Sequence, residues 1–327
     1  MKLFPLLSQT QDPIIQSVDL IVDDGKNSQS NQPKIYMIRD DLLPLGFGTK
    51  WRKLESAVQF FRSTGKKHIL LWGALHGNYL ASFSLGLRMN GFEVTCFAYA
   101  KDPSLHTFNE TIVKRHTHNL TLLENRNKAE KKFEAESIYF PDSHLPEFGI
   151  HPSLTKGLIS YFTKLKNQII SLKDKGNSHQ KKSLLVLDIG SGVSFLCALQ
   201  VFSETDVEVF GILASEPKSS WVKKAYFLQN SLGLDLKSVD PDSVLDFFEF
   251  FPNVSRQFGK PNQWIYEKVR KYFQMTKILL EPIYSAKSIL CLEKVLENND
   301  PTKLGGRDVF YLHQGGQNQH LDIILER

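Results

Sequence analysis

Cysteine is scarce in this chain, with three in 327 residues: Cys96, Cys197 and Cys291. They lie too far apart to read as a disulfide framework or a metal-ligand set. They point to a reducing compartment and predict a cytoplasmic protein. Long apolar runs are missing too, since none approaches the roughly 20 residues of a membrane-spanning helix. No membrane association is expected. The opening MKLFPLLSQTQDP has one lysine and a short apolar piece broken by Pro5, which does not make a signal peptide. An excess of one charge is nearly absent: 40 Lys and Arg against 35 Asp and Glu leave a net charge of +5. That balance suits anionic small ligands and argues against nucleic acid, which asks for a concentrated basic face. There is no internal repeat and no low-complexity tract.

What remains is an ordinary globular composition, 41% hydrophobic and 23% charged. The length allows one large or two medium domains. One stretch organises the rest: Gly46-Phe47-Gly48-Thr49-Lys50-Trp51-Arg52-Lys53-Leu54-Glu55. Two glycines permit backbone angles that other residues avoid. Thr49 is a suitable N-cap, its hydroxyl able to accept an orphan N–H of the first turn. Lys50 then stands at the positive end of a helix, which disfavours its charge. A lysine that attacks a carbonyl needs that neutral form. The competing reading is a solvated basic helix start, given Arg52 and Lys53 beside it.

The remaining pattern alternates strands with helices. Lys34–Arg39 reads as a strand, Trp51–Ser63 as an amphipathic helix, and His68–Trp72 as a buried strand emptying into Gly73-Ala74-Leu75-His76-Gly77-Asn78. A helix over Tyr79–Asn90, Gly91, and a strand over Phe92–Tyr99 complete a βαβ unit of a parallel sheet. Ligands of such sheets bind at the carboxyl ends of strands, where Gly73–Asn78 falls. A short strand over Leu120–Glu124, a loop over Pro141–His151 and a helix from Ser153 to about Leu172 follow. The second half repeats the alternation: Ser183–Ile189 is a buried strand ending in Gly190-Ser191-Gly192-Val193-Ser194, with a helix over Phe195–Ser203 and a strand over Val207–Ala214. Glycines that open a helix after a strand make a phosphate cradle, because backbone N–H groups and the helix dipole favour an anion. A tight turn without a ligand has the same composition. Helices over Ser220–Asn230 and Pro261–Thr276, a short strand at Ile278–Leu280 leading into a helix that runs to about Asn298, and a last strand over Asp308–His313 close the pattern. His106, His116 and His118 have no metal-ligand spacing, so no metal is expected. The lysine-rich Lys173–Lys182 lacks interleaved aromatics and reads as a solvated loop.

Four stretches in this order resemble one family: FGTKWRKLE at Phe47–Glu55, Gly73–Asn78, Gly190–Ser194, and LLEPIYSAK at Leu279–Lys287 paired with His313-Gln314-Gly315-Gly316. Together they are similar to pyridoxal-phosphate enzymes of the tryptophan-synthase-β fold type (fold type II), in the branch of the D-cysteine desulfhydrases and 1-aminocyclopropane-1-carboxylate deaminases. The resemblance runs from Arg39 to the C-terminus. It implies an α/β protein with two domains built on open, twisted, mostly parallel sheets. Residues 1–50 and 159–327 would form the large domain that binds pyridoxal 5'-phosphate, and 51–158 a small domain that closes over the substrate. By position, Lys50 would carry the cofactor and later move the substrate α-proton. Asn78 would face the cofactor's phenolic oxygen, and Gly190, Ser191, Gly192, Val193 and Ser194 would hold its phosphate. Ser285 would meet the pyridine nitrogen, and Tyr284 would stand in the wall of the active site. A neutral hydroxyl at 285 leaves that nitrogen unprotonated and tempers the electron sink.

The departures are as informative. Thr49 replaces the asparagine before the lysine, Gly77 the serine that meets the substrate carboxylate, and Phe258 a tyrosine of the branch. His76 and His313 border these positions and could supply a lost polar group, or simply pack and hydrogen-bond. The implied function is a β-eliminating lyase or deaminase of a small amino acid, releasing ammonia and a 2-oxo acid. The alternative is a cofactor-binding homologue with little or no catalysis, a carrier or regulator. Relatives imply a homodimer.

Overall fold

The computed structural model describes residues 12–18, 34–102, 104–175, 182–236, 238–254, 262–297 and 307–321. Two of the stretches discussed above fall partly or wholly outside them: residues 176–181 of the lysine-rich loop, and Phe258 with its neighbours 255–261.

The chain starts with β1 (Ile15–Val18), β2 (Ile35–Arg39), α1 (Lys50–Ser63), β3 (His68–Ala74), α2 (Asn78–Met89), β4 (Glu93–Tyr99), α3 (Phe108–His116), β5 (Asn119–Leu123), α4 (Arg126–Ser137), β6 (His144–Leu145) and α5 (Pro152–Lys175). It continues with β7 (Ser183–Ile189), α6 (Val193–Phe202), β8 (Val207–Leu213), α7 (Lys218–Ser231), β9 (Val244–Asp246), α8 (Phe247–Phe250), α9 (Gln263–Thr276), α10 (Ser285–Glu297) and β10 (Asp308–His313). These divide into two compact units. Thr49–Leu158 belongs to the first; Gln11–Gly48 and Ile159–Arg327, in their described parts, form the second.

The first unit carries a parallel sheet in the order β5-β4-β3-β6. Residues 69–72 and 94–99 are buried without alternation, the pattern of strands covered on both faces. Trp72, Phe97 and Tyr99 pack with Ala129 and Phe133 of α4 on one side. Gly86 lets α2 approach α1: a Cβ there would stand 1.9 Å from Leu54 Cδ2. The second unit carries the order β1-β2-β10-β7-β8-β9, with β1 antiparallel on the edge and the rest parallel. Met37, Val186, Ile212 and Tyr311 of its sheet share a core with Ile265 and Val269 of α9 and Ile289 and Leu292 of α10. At about 25 cal/mol per Å² of apolar surface, each such side chain contributes roughly 1.5–3 kcal/mol.

Both sheets have a topological switch point. From β3 the chain builds β4 and β5 to one side and then returns to place β6 on the other. From β7 it builds β8 and β9, then returns to place β10 on the far side of β7. Loops leaving the carboxyl ends at such a reversal diverge and open a crevice. The crevice of the first sheet is flanked by His76–Asn78, that of the second by Gly190–Ser194 and Gln314–Gly316.

Two expectations need correction. Ile278–Leu280 is not a strand; the carbonyl of Leu279 is bonded by His313 Nε2 at 3.0 Å instead of by a neighbouring ladder. The segment Pro141–His151 contains the two-residue β6 and a 3₁₀ turn over Glu147–Gly149, elements too short to leave a periodicity.

Candidate active site

In the first unit Lys50 opens α1 and Asn78 opens α2. Thr49 holds the N-cap place but does not cap. Its backbone is already helical (φ −54°, ψ −15°) with no side-chain cap bond, and its buried hydroxyl has no hydrogen-bond partner. A capping side chain needs an extended backbone to reach the N–H two or three residues on. The residue before Asn78, Gly77, has that extended geometry (φ −79°, ψ 139°) but no side chain to cap with.

The turn between β3 and α2 is tied to the start of α3. Asn109, wholly buried, donates from Nδ2 to the carbonyl of His76 at 3.0 Å and to Asn78 Oδ1 at 2.9 Å. Thr107 caps α3 by accepting the Glu110 N–H at 3.1 Å, and the same hydroxyl meets His76 Nδ1 at 3.0 Å. Burial lowers the His76 pKa, and it outweighs the opposing carboxylates of Glu110 and Asp102. The ring is therefore neutral at physiological pH, and its Nε2 is buried without a hydrogen-bond partner.

In the second unit β7 delivers Gly190–Ser194 to the start of α6. Gly192 takes the left-handed backbone (φ 87°) at the N-cap, with no side-chain cap bond. A Cβ there would stand 2.9 Å from Trp221 Cζ2, so glycine serves both the turn and the packing. The first backbone bond of the helix runs from Leu196 N to Gly192 O. An uncapped helix start with Ser191 and Ser194 beside it has the donors an anion requires. The Tyr284 ring lies against this turn, 3.5 Å from an ideal Cβ on Gly190. Loss of water around its hydroxyl, then the carboxyls of Glu281, Asp188 and Glu216, hold the phenol well above its ordinary range. It stays a neutral donor.

Tyr284 and Ser285 are set by Glu281. Its carboxylate accepts the N–H of Ile283 at 2.9 Å and of Tyr284 at 2.7 Å. Ser285 Oγ accepts the Glu281 N–H at 2.6 Å and donates to the Glu281 carbonyl at 3.1 Å. His320, buried, reaches Tyr266 Oη at 3.2 Å and lies 3.4 Å from Glu281 Oε1. His313 is fully buried. Its Nε2 donates to Leu279 O at 3.0 Å and its Nδ1 accepts the Gly315 N–H at 3.3 Å. Both ring nitrogens serve the backbone.

Sequence reasoning missed Asp188, Glu281 and Asn109. Asp188 is the penultimate residue of a strand buried throughout and accepts the Tyr311 hydroxyl at 2.8 Å, while Gln314 Nε2 donates to its backbone carbonyl at 2.7 Å. Burial raises its carboxyl to about 6, against the hydrogen bond of Tyr311. The available signal was one acid in an otherwise apolar run, since buried acids are rare without partners. The lysine of the LLEPIYSAK segment, Lys287, is buried too; its Nζ donates to Ala214 O at 3.0 Å and lies over Phe248 at 5.3 Å. Among the described residues no group of three or more His, Cys, Asp or Glu is placed to hold a metal ion. No described helix is long and apolar enough to cross a membrane.

The residue set fits pyridoxal phosphate in one respect that the structure itself supplies: a helix start without a side-chain cap, preceded by Gly190-Ser191-Gly192, with the Tyr284 ring beside it. No protein-family model and no curated protein sequence matches the chain. Solved structures do, over nearly the full length. A structure described as an ACC deaminase homologue has 21% identity and a TM-score of 0.74, covering 99% of this chain and 98% of its own. A hydrogen sulfide-producing enzyme from Fusobacterium nucleatum has 14% identity and a TM-score of 0.65, covering 97% of each chain. O-acetyl serine sulfhydrylase isoform 3 from Entamoeba histolytica has 15% identity and a TM-score of 0.65, covering 98% of this chain and 91% of its own. At such identities the likeness is one of fold, and it is the fold that the motifs implied: the chain is an α/β protein of the tryptophan-synthase-β fold type.

Proposed function

We propose that the chain is a pyridoxal-phosphate-dependent lyase or deaminase of a small amino acid, eliminating a β-substituent as a D-cysteine desulfhydrase does. The observation that carries the reading is the uncapped start of α6 at the β7–β10 switch point, with the Tyr284 ring against Gly190. The solved structures of like fold support it. When bound, pyridoxal phosphate supplies an electron sink that makes the substrate Cα–H acidic.

The chain's own residues divide the remaining work. The N–H groups of Gly190–Ser194 and the hydroxyls of Ser191 and Ser194 hold the phosphate against the helix dipole. Lys50 would supply the amine that holds the cofactor and the base that takes the substrate α-proton. Asn78 donates to the phenolic oxygen. Ser285 gives its proton to Glu281 O in this structure, and a ring nitrogen without a proton competes for that same O–H. The Tyr284 phenol, neutral at any physiological pH, donates to the departing group or the substrate. Loss of the β-substituent and hydrolysis then release ammonia and a 2-oxo acid. Residues 1–50 with 159–327 act as the cofactor domain and 51–158 as the substrate domain, in a homodimer. Cys96, Cys197 and Cys291, buried and outside any disulfide, fit a cytoplasmic setting.

The test is an absorbance spectrum of the purified protein before and after borohydride, beside Lys50→Ala. A visible band that borohydride abolishes and the variant lacks supports the reading; a protein that stays colourless with added pyridoxal phosphate overturns it. Keto-acid release from a panel of amino acids separates the enzyme from a non-catalytic cofactor carrier. Gly77 favours the carrier, since α2 opens there without any side-chain hydroxyl.

A further inference from the structure

The polar atoms at the carboxyl end of β3 form a chain whose direction is set by one backbone atom. The carbonyl of His76 can only accept. Asn109 must therefore turn its Nδ2 towards it, at 3.0 Å, because a reversed amide would set two oxygens face to face. That orientation places the second Nδ2 hydrogen against Asn78, whose Oδ1 accepts it at 2.9 Å. A reversed Asn78 would oppose two N–H₂ groups. The alternation from carbonyl to amide to amide leaves Asn78 presenting its own N–H₂. Asn109 is completely buried on the first turn of α3, and Thr107, the cap of that helix, ties the same turn to His76 Nδ1. His76 is held neutral by burial, so it adds no charge beside the amide.

We propose that Asn109 is a positioning residue that locks the Asn78 amide as a donor, so that this place takes an acceptor oxygen and rejects a donor. The proposal rests on the cofactor reading, under which that oxygen is the phenolic oxygen of pyridoxal phosphate. Asn109→Asp is nearly isosteric but cannot donate. The Asn78 amide then turns to give its N–H₂ to the new carboxylate and presents its oxygen to the ligand.

The experiment titrates pyridoxal phosphate into wild type, Asn109→Asp, Asn78→Ala and the double variant, reading the dissociation constant and the position and pH dependence of the visible band. Expected for Asn109→Asp is a weakening of about 10- to 100-fold, the worth of one hydrogen bond to a charged oxygen, with a displaced titration of the band. In the Asn78→Ala background the same substitution should change neither. Should Asn109→Asp fail to fold, Asn109→Ala removes both donors without adding a charge and takes its place. An Asn109 variant that binds and absorbs as wild type does, or whose effect persists in the Asn78→Ala background, overturns the proposal alone. A wild-type protein that takes up no cofactor overturns it together with the reading beneath it.

Discussion

Asp188→Asn should make the protein more resistant to unfolding above neutral pH and leave it unchanged in acid. The Asp188 carboxyl is raised to about 6 from an ordinary 3.8, foremost by burial and slightly by the Glu281 carboxyl, against the hydrogen bond of Tyr311 and the His313 ring. Its folded value lies above its unfolded value, so the protonated form favours the fold. That contribution is complete below the unfolded value and is lost as pH rises through the folded one. At 1.36 kcal/mol per pH unit, the interval between about 6 and 3.8 amounts to roughly 3 kcal/mol. Asparagine does not titrate, and its Oδ1 still accepts the Tyr311 hydroxyl, which reaches Asp188 at 2.8 Å. Urea unfolding of both proteins between about pH 4 and about pH 8 reads the difference directly, because every other titrating group cancels. The two should agree near about pH 4, diverge through about pH 6, and differ by roughly 3 kcal/mol at about pH 8, the variant being the more stable. Parallel curves would refute the reasoning. So would a variant that loses ground as pH rises, since the hydrogen bond would then be holding the carboxylate ionised.

Gly48→Ala should cost far more than the roughly 1–2 kcal/mol of a left-handed alanine. At φ +60° its Cβ would fall 1.9 Å from the Gln314 carbonyl oxygen and 2.8 Å from Gly315 Cα, so thermal unfolding should drop steeply. Gly65→Ala, at φ +67° with open space around it, should show only that 1–2 kcal/mol, roughly the strain alone. Glu281→Ala strands the N–H groups of Ile283 and Tyr284 and should destabilise by about 1–3 kcal/mol for each that water cannot reach; Glu281→Gln, which keeps one acceptor oxygen, should lose about half as much in the same urea titration. Gly192→Ala places a Cβ 2.9 Å from Trp221 at φ +87° and should weaken pyridoxal-phosphate uptake at least about tenfold, measured by absorbance, by moving the helix start that faces the anion.

The strands and helices that are long and covered were legible because burial imposes a period. Residues 183–189 and 68–72 read as buried strands, and the glycines after each read as turns into helices; β7–α6 and β3–α2 have that form. What was not legible was either too short or too distant. β6 and β9 have two and three residues, fewer than one can assign a period to. Thr49 is a favourable cap by composition, but its backbone is already helical (φ −54°, ψ −15°), which keeps its hydroxyl from reaching an N–H of the first turn. His313 stood beside a strand end as a candidate for chemistry, yet its two nitrogens are consumed by Leu279 O and Gly315 N–H, partners that no spacing announces.

The polar groups invisible in the sequence share one task, which explains their burial. Glu281 takes two backbone N–H groups, Asn109 bridges a carbonyl and an amide, and Asp188 anchors Tyr311 while its own carbonyl holds Gln314. Asn109 ties the turn after β3 that opens α2, Asp188 stands beside the turn after β7 that opens α6, and Glu281 fixes the turn that opens α10. A buried polar group costs free energy unless fully paired, and a packed apolar residue would support a turn without that cost. An apolar residue, however, cannot set the direction of an amide or the angle of a peptide N–H. Loops that must present donors at fixed positions need such partners beneath them. These buried hydrogen bonds under the turns, more than any residue on the surface of the crevices, are what a helix start that only packs would lack.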